Sequence, residues 1–205
     1  MSYESNPFAP AQESACIAKV GASVVRRGGA LRLKFNNGAS RTYTDSTAAA
    51  CKKGPYDNCK NYMLYDYFPE HGLFLVNVGY NESQQWLLVS QKDGKQVQVV
   101  AQPGYSPGRK WLASVYWTEG PDDGNNGVDI VPANFDLIGS AFHYRPTEYE
   151  LWEVVGWDGD DRLLLNVTWH PGGDPTGELA TWPAEAVRVM GAWRLNRWAP
   201  GSLRP

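Results

Sequence analysis

The chain reads as short runs in which apolar and polar residues alternate with period two, cut at intervals by turn residues. Residues 22–26, 31–35 and 41–44 are joined by Gly28-Gly29 and Asn37-Gly38, pairs that close hairpins. Residues 84–90 and 96–101 flank Asp93-Gly94, and 149–155 and 162–169 flank Asp158-Gly159. The i, i+3, i+4, i+7 spacing of an amphipathic helix is confined to 183–190. Residues 1–20 are expected to be a flexible lead-in, because Asn6-Pro7-Phe8-Ala9-Pro10 cannot continue a helix or a central strand. The pattern predicts an all-β chain with one β domain over 21–198 and a tail over 199–205.

Three segments repeat. Phe68 is followed by Phe74-Leu75-Val76-Asn77-Val78-Gly79-Tyr80, and Tyr105 by Trp111-Leu112-Ala113-Ser114-Val115-Tyr116-Trp117. Trp157 is followed by Leu163-Leu164-Leu165-Asn166-Val167-Thr168-Trp169. Each copy has an aromatic, a turn, an apolar-Leu-apolar triplet (Trp-Leu-Ala in the second), Asn or Ser, Val, a free position and an aromatic. The copies start 37 and 52 residues apart, as a 37-residue unit would with a 15-residue insertion at 119–134. A period near 40 with several strands per unit is the mark of propeller blades. Only three or four blades fit this length, so the expected fold is an incomplete β-propeller-like arrangement of antiparallel sheets, with a β-sandwich as the alternative.

Composition narrows the function. The chain has 205 residues, 42% of them hydrophobic, and a net charge of −3. That balance supports a core and provides no basic field for nucleic acid. Its apolar runs fall far short of the roughly 18 residues of a membrane span. Nine Trp and eleven Tyr favour β structure and recognition surfaces. Cys51 and Cys59 flank a short turn-rich stretch and are expected to form a local disulfide, which implies an oxidising compartment. Cys16 is left over without a role. Repeated Trp111, Trp152, Trp157 and Trp169 are expected in the core, with carbohydrate stacking the lesser reading.

Candidate chemistry is sparse. Gly104-Tyr105-Ser106-Pro107-Gly108 matches G-x-S-x-G in letters only, because Pro107 lacks the N–H that an oxyanion hole needs. It reads as a turn between strands. His71, His143 and His170 lie in different units with no motif pairing them to a nucleophile. Glu82, Glu119, Glu148, Glu150 and Glu153 could supply a glycosidase pair, although acids beside strands are usually solvated. The oxygen-rich stretch 121–129 offers Asp122, Asp123, Asn125 and Asp129 to Ca²⁺. Read as a calcium loop, it lacks the twelfth-position Glu, where Ala133 stands, and a plain turn is favoured. Ser114, Tyr116, Trp117 and Glu119 open the inserted loop, and Tyr116 replaces Gly79 and Thr168 of the other copies. A bulky amphipathic side chain there is a candidate recognition anchor. The bland alternative is a tyrosine packed on a neighbouring strand.

With Tyr65-Asp66-Tyr67-Phe68-Pro69-Glu70-His71-Gly72, the Asp93-Gly94 hairpin, Tyr105-Ser106-Pro107-Gly108 and Tyr149-Glu150-Leu151-Trp152-Glu153-Val154, the chain resembles propeller-like envelope proteins of Gram-negative bacteria. Among these are immunity lipoproteins, similar in outline to periplasmic lysozyme inhibitors, some paired with effectors of a bacteria-killing type IV secretion system. The resemblance implies a periplasmic, non-enzymatic protein on an outer-membrane lipid anchor, whose signal and lipobox cysteine precede this sequence. It also implies a lysozyme-like peptidoglycan hydrolase as partner, its cleft plugged by a protruding loop. By position, Tyr116 is the expected plug, with Glu119 at the polar wall.

Overall fold

The structure, a computed structural model, describes residues 9–53, 59–80, 83–116, 126–146, 150–169 and 180–198. The chain is all-β, as the alternation predicts. Its strands form four antiparallel meanders, none closed, each joining strands that follow one another in sequence. That organisation fits the incomplete propeller-like or sandwich arrangement. The chain divides into two compact units, Met1–Val99 and Val100–Pro205.

Unit 1 opens with helix α1 (Ala9–Val20) where a loose lead-in was expected. Pro10 is no obstacle, because the first turn of a helix needs no backbone N–H from it. The helix carries the spacing Glu13, Cys16, Ile17, Val20, an i, i+3, i+4, i+7 stripe with a carboxylate in its first place. Strands β1 (Val24–Arg27), β2 (Ala30–Lys34) and β3 (Ser40–Thr44) form the first sheet. A short helix, α2 (Ala48–Lys53), leads to β4 (Asn61–Phe68), β5 (Leu73–Gly79), β6 (Gln84–Ser90) and β7 (Gln96–Val99), the second sheet. Leu31, Leu33, Leu64, Phe74 and Val76 are fully buried between the two sheets and α1.

The outer edge of β4 is sealed by side chains. The N–H groups of Lys60, just before β4, and of Tyr62 and Leu64 on it donate to Ser46 Oγ (2.9 Å), Asp45 Oδ1 (2.7 Å) and Glu13 Oε1 (2.9 Å). Arg26 ties the two carboxylates together, with Nη2 2.8 Å from Asp45 Oδ2 and Nε 3.4 Å from Glu13 Oε2. An edge strand otherwise offers its unpaired backbone to other chains. Glu13 therefore anchors α1 and closes the edge at once.

Unit 2 holds β8 (Gly104–Tyr105), β9 (Trp111–Tyr116), β10 (Gly127–Pro132) and β11 (Phe142–Tyr144) in one sheet. The other has β12 (Glu150–Trp157), β13 (Arg162–Trp169), β14 (Ala180–Val189) and β15 (Ala192–Arg197). Residues 183–190, the one window with helical spacing, belong to strand β14 and the turn after it: Ala184 and Ala186 are buried at period two. Met190 (φ 51°) and Gly191 (φ 86°) then make the tight turn into β15.

The repeat is real in three dimensions. Its three copies are β5, β9 and β13, the second strand of a four-stranded meander each time. In the first and third copies a β-bulge falls at one register, between Leu64 and Asp66 opposite Val76/Leu75 and between Val154 and Gly156 opposite Leu165/Leu164. The leading aromatic does not keep register. Tyr67, opposite Phe74, is the counterpart of Trp157, opposite Leu163, because the first copy's turn is one residue longer. In the second copy Ser106 takes that slot, its N–H donating to Trp111 O. The turn preceding each second strand holds a left-handed residue: Gly28, Gly72 and Gly159 in three sheets, and Arg109 (φ 55°) in the fourth.

Two measurements check this account. Glu13→Ala should cost about 1–3 kcal/mol in urea unfolding by orphaning the Leu64 N–H, and Glu13→Gln should recover much of it. Burial, helped by nearby Asp66, pushes the Cys16 thiol from 9.0 to about 11. The folded state thus favours the neutral thiol, and this stabilisation is complete below pH 9 and lost as the pH rises through 11. Cys16 should resist alkylation at pH 8 until the chain is unfolded, and a Cys16→Ala chain should lose less stability than wild type between pH 9 and 11.

Candidate functional site

Sheet β8–β11 has two unlike faces. Ala113, Val115, Val128, Ile130 and Tyr144 turn towards the core shared with sheet β12–β15. Strand alternation turns Ser114, Tyr116, Gly127, Asp129 and His143 to the opposite face. Register aligns Ser114, Asp129 and His143 in one row, and Tyr116 beside Gly127 in the next. Gly127 has φ +138°, and a Cβ there would stand 2.0 Å from the Tyr144 carbonyl oxygen, so only glycine fits.

Asp129 organises this face. Its carboxylate is fully buried and takes four contacts. The Val100 N–H donates to Oδ2 at 2.7 Å, and His143 Nδ1 lies 2.7 Å from Oδ1. Arg145 grips both oxygens, Nη1 to Oδ1 at 2.8 Å and Nη2 to Oδ2 at 3.1 Å, a charge-assisted fork. Nη1 also donates to Tyr144 O at 3.0 Å. Because the carboxylate only accepts, Nδ1 of His143 carries the proton, and Nε2 is left outward on a ring 41% exposed. The row order is Ser–Asp–His. A nucleophilic triad needs the histidine in the middle, so this row is no hydrolase site.

A second buried carboxylate lies on the core side. Glu150 accepts from Arg197 Nη1 (2.5 Å), Trp152 Nε1 (3.1 Å) and Tyr144 Oη (3.2 Å). The Arg197 guanidinium caps the Tyr144 and Trp152 rings at 4.9 and 5.5 Å, and burial lowers its pKa from the usual arginine value. Glu150 and Glu153 lie three residues apart on β12, hence on opposite faces, and do not form a glycosidase pair.

Several expectations change. Tyr116 stands half-buried at the end of β9, and Ser114 is buried, only 2% exposed. Trp117, Glu119, Asp122, Asp123 and Asn125 lie outside the described residues. Asp129 is corrected as a calcium ligand: both oxygens are engaged by Arg145, His143 and Val100. β10 begins at Gly127, where a calcium loop would still be turning. Among the described residues no group of three or more His, Cys, Asp or Glu is placed to hold a metal. Cys51 and Cys59 are joined as expected. Trp86, Trp111, Trp152 and Trp193 are buried, which favours the packing role. Ser106 is 1% exposed and structural, donating to Asp160 Oδ1 at 2.7 Å, and its hydroxyl, with Gly108 and Lys110, holds Asp160 below the ordinary carboxylate range.

Sequence reasoning set His143 aside as a lone histidine and missed Arg145. Their i, i+2 spacing in Phe142-His143-Tyr144-Arg145 is a strand signal. Asp129, however, lies across an irregular connection containing a 3₁₀ turn (Phe135–Ser140), so no tight-turn register could be read.

Stability separates the partners' roles. Arg145→Ala strands a buried carboxylate and should cost about 3–5 kcal/mol in urea unfolding, whereas Asp129→Asn should cost roughly half, because Arg145 reaches water. Equal losses would contradict this picture. No family model, curated protein or solved structure matches the chain.

Proposed function

We propose that this chain is a non-catalytic periplasmic immunity protein that binds a lysozyme-like peptidoglycan hydrolase and blocks its active-site cleft from the Tyr116 end of β9. The observation that carries this reading is Tyr116 itself: a half-buried tyrosine whose hydroxyl has no partner among the described residues, at the strand end that enters segment 117–125. On the same face, across β10, stand the cationic Arg145 and the 41% exposed His143, both held by Asp129. Glycosidase clefts carry two carboxylates, and a face that carries an aromatic ring and a cationic arginine complements such a cleft. The Cys51–Cys59 disulfide supports an oxidising compartment.

A second reading, a carbohydrate- or cell-wall-binding module without catalysis, draws on this same face rather than on the tryptophans, four of which are in the core. Inhibition of a panel of lysozyme-type hydrolases on peptidoglycan tests the first reading. Wild type is expected to inhibit at least one member, and Tyr116→Ala to weaken that inhibition by about tenfold or more. Inhibition unchanged in the variant moves the contact away from Tyr116, and no inhibition across the panel counts against the class.

A further inference from the structure

We propose that the outer face of sheet β1–β3 is a docking surface for an anionic lipid membrane. This face belongs to unit 1 and Tyr116 to unit 2, so membrane contact is a property separate from either reading above.

Three observations converge. The first is what strand alternation leaves outside. Val24, Leu31, Leu33 and Tyr43 are buried in the core of unit 1. Arg27 on β1, Arg32 and Lys34 on β2, and Ser40, Thr42 and Thr44 on β3 alternate with them and turn to the opposite face. All six are exposed, so the face is open to solvent in the folded chain.

The second is charge. This face has three cations and no carboxylate. Arg26, Lys95, Lys110, Arg145 and Arg197 each lie against an Asp or Glu. Arg27, Arg32 and Lys34 have no such partner among the described residues. Arg32 is held across to β3 instead, its Nε and Nη2 donating to Ser40 Oγ at 3.1 and 2.9 Å. Three of its five N–H groups are left for a ligand. The imbalance extends to the whole unit. Residues 1–99 hold 11 Lys and Arg against 8 Asp and Glu, whereas residues 100–205 hold 8 against 14. Unit 1 is thus the positive part of a chain whose net charge is −3.

The third is the kind of surface these residues make. Arg32 and Lys34 are two residues apart on one strand, about 7 Å. Arg27 pairs with Ala30, which puts it one diagonal step from Arg32, again about 7–8 Å. Cations so spaced meet several phosphates at once, and the neighbouring hydroxyls add neutral donors. None of the nine Trp and eleven Tyr stands on this face, and its apolar positions, Val25 and Ala30, are small. Protein interfaces rest on aromatic anchors seated in pockets, which this face lacks. A field of lipid headgroups requires only cations and donors, so a membrane is favoured over an acidic protein.

The test is flotation of the full chain with vesicles of phosphatidylcholine alone or with one third phosphatidylglycerol. Each cation near an anionic bilayer gives about a fivefold gain in partitioning, so three give about 100-fold. Binding is expected to the anionic vesicles at about 50 mM salt and to be lost at about 500 mM, where charges are screened within about 4 Å. Arg27→Gln/Arg32→Gln/Lys34→Gln should weaken it by about tenfold or more, whereas Lys19→Gln/Lys92→Gln/Lys95→Gln, which removes the same charge elsewhere, should stay within about threefold of wild type. Urea unfolding of each variant is recorded. Should the first triple variant fail to fold, its three single substitutions decide, each expected to lose about fivefold. Equal binding to neutral vesicles, equal losses in the two triple variants, or no binding to either vesicle overturns the proposal. Release of the chain from vesicles by millimolar inorganic phosphate reduces the face to a single-anion site and also overturns it. Polyglutamate bound in preference to the vesicles assigns the face to an acidic protein instead.

Discussion

The structure depends on the double burial of its second strands. Leu73–Val76 on β5 and Trp111–Ser114 on β9 are buried at every position, so each strand must be covered on both faces. A strand so placed has to be flanked by hydrogen-bonded neighbours and roofed by packed layers. This constraint produces a meander around each copy of the repeat and a second sheet against it within each unit. On β13 the demand is milder, with Leu163, Leu165 and Val167 buried while Leu164 and Asn166 are half-exposed. Sheet β12–β15 correspondingly carries a polar outer ladder, in which Thr168 and Thr181 share a hydrogen bond and Asn166 reaches Glu153.

Charges are the second organising element, and they act where the meanders leave backbone or carboxylate unsatisfied. In unit 1 Glu13 and Asp45 cap the edge of β4 and are bridged by Arg26. In unit 2 Asp129 and Glu150 are each buried and each matched by an arginine from a neighbouring element. A buried ion pair adds little net stability over an apolar pair, but removing either partner is costly. Such pairs therefore fix geometry more than they stabilise. At Asp129 the geometry so fixed is that of Arg145 and His143, both held on one buried carboxylate.

The bulge shared by the first and third copies shows one framework used in two ways. In unit 1 the strand residue beside it, Leu64, is sealed by α1. Its counterpart Val154 is 38% exposed, and the bulged Val155 57%. The same backbone device is thus closed by a helix in one unit and left to solvent in the other.

The sequence by itself determined the all-β class, the hairpins at Gly28-Gly29, Asn37-Gly38, Asp93-Gly94 and Asp158-Gly159, and the three-copy repeat. Those features rest on local turn chemistry and period-two burial, and both are written along a few consecutive residues. The disulfide was legible too, because Cys51 and Cys59 close a short loop. Helix α1 was not: its stripe begins with a glutamate, and only the edge of β4 makes a carboxylate welcome there. Likewise, tertiary structure alone decided that Asp129 faces Arg145 and His143 rather than an ion, and that Ser114 is sealed while Tyr116 stays half-open. The partners are 14 and 16 residues apart across an irregular connection, so their meeting is set by sheet register. Register follows from how the whole sheet packs, and no local run of residues encodes it.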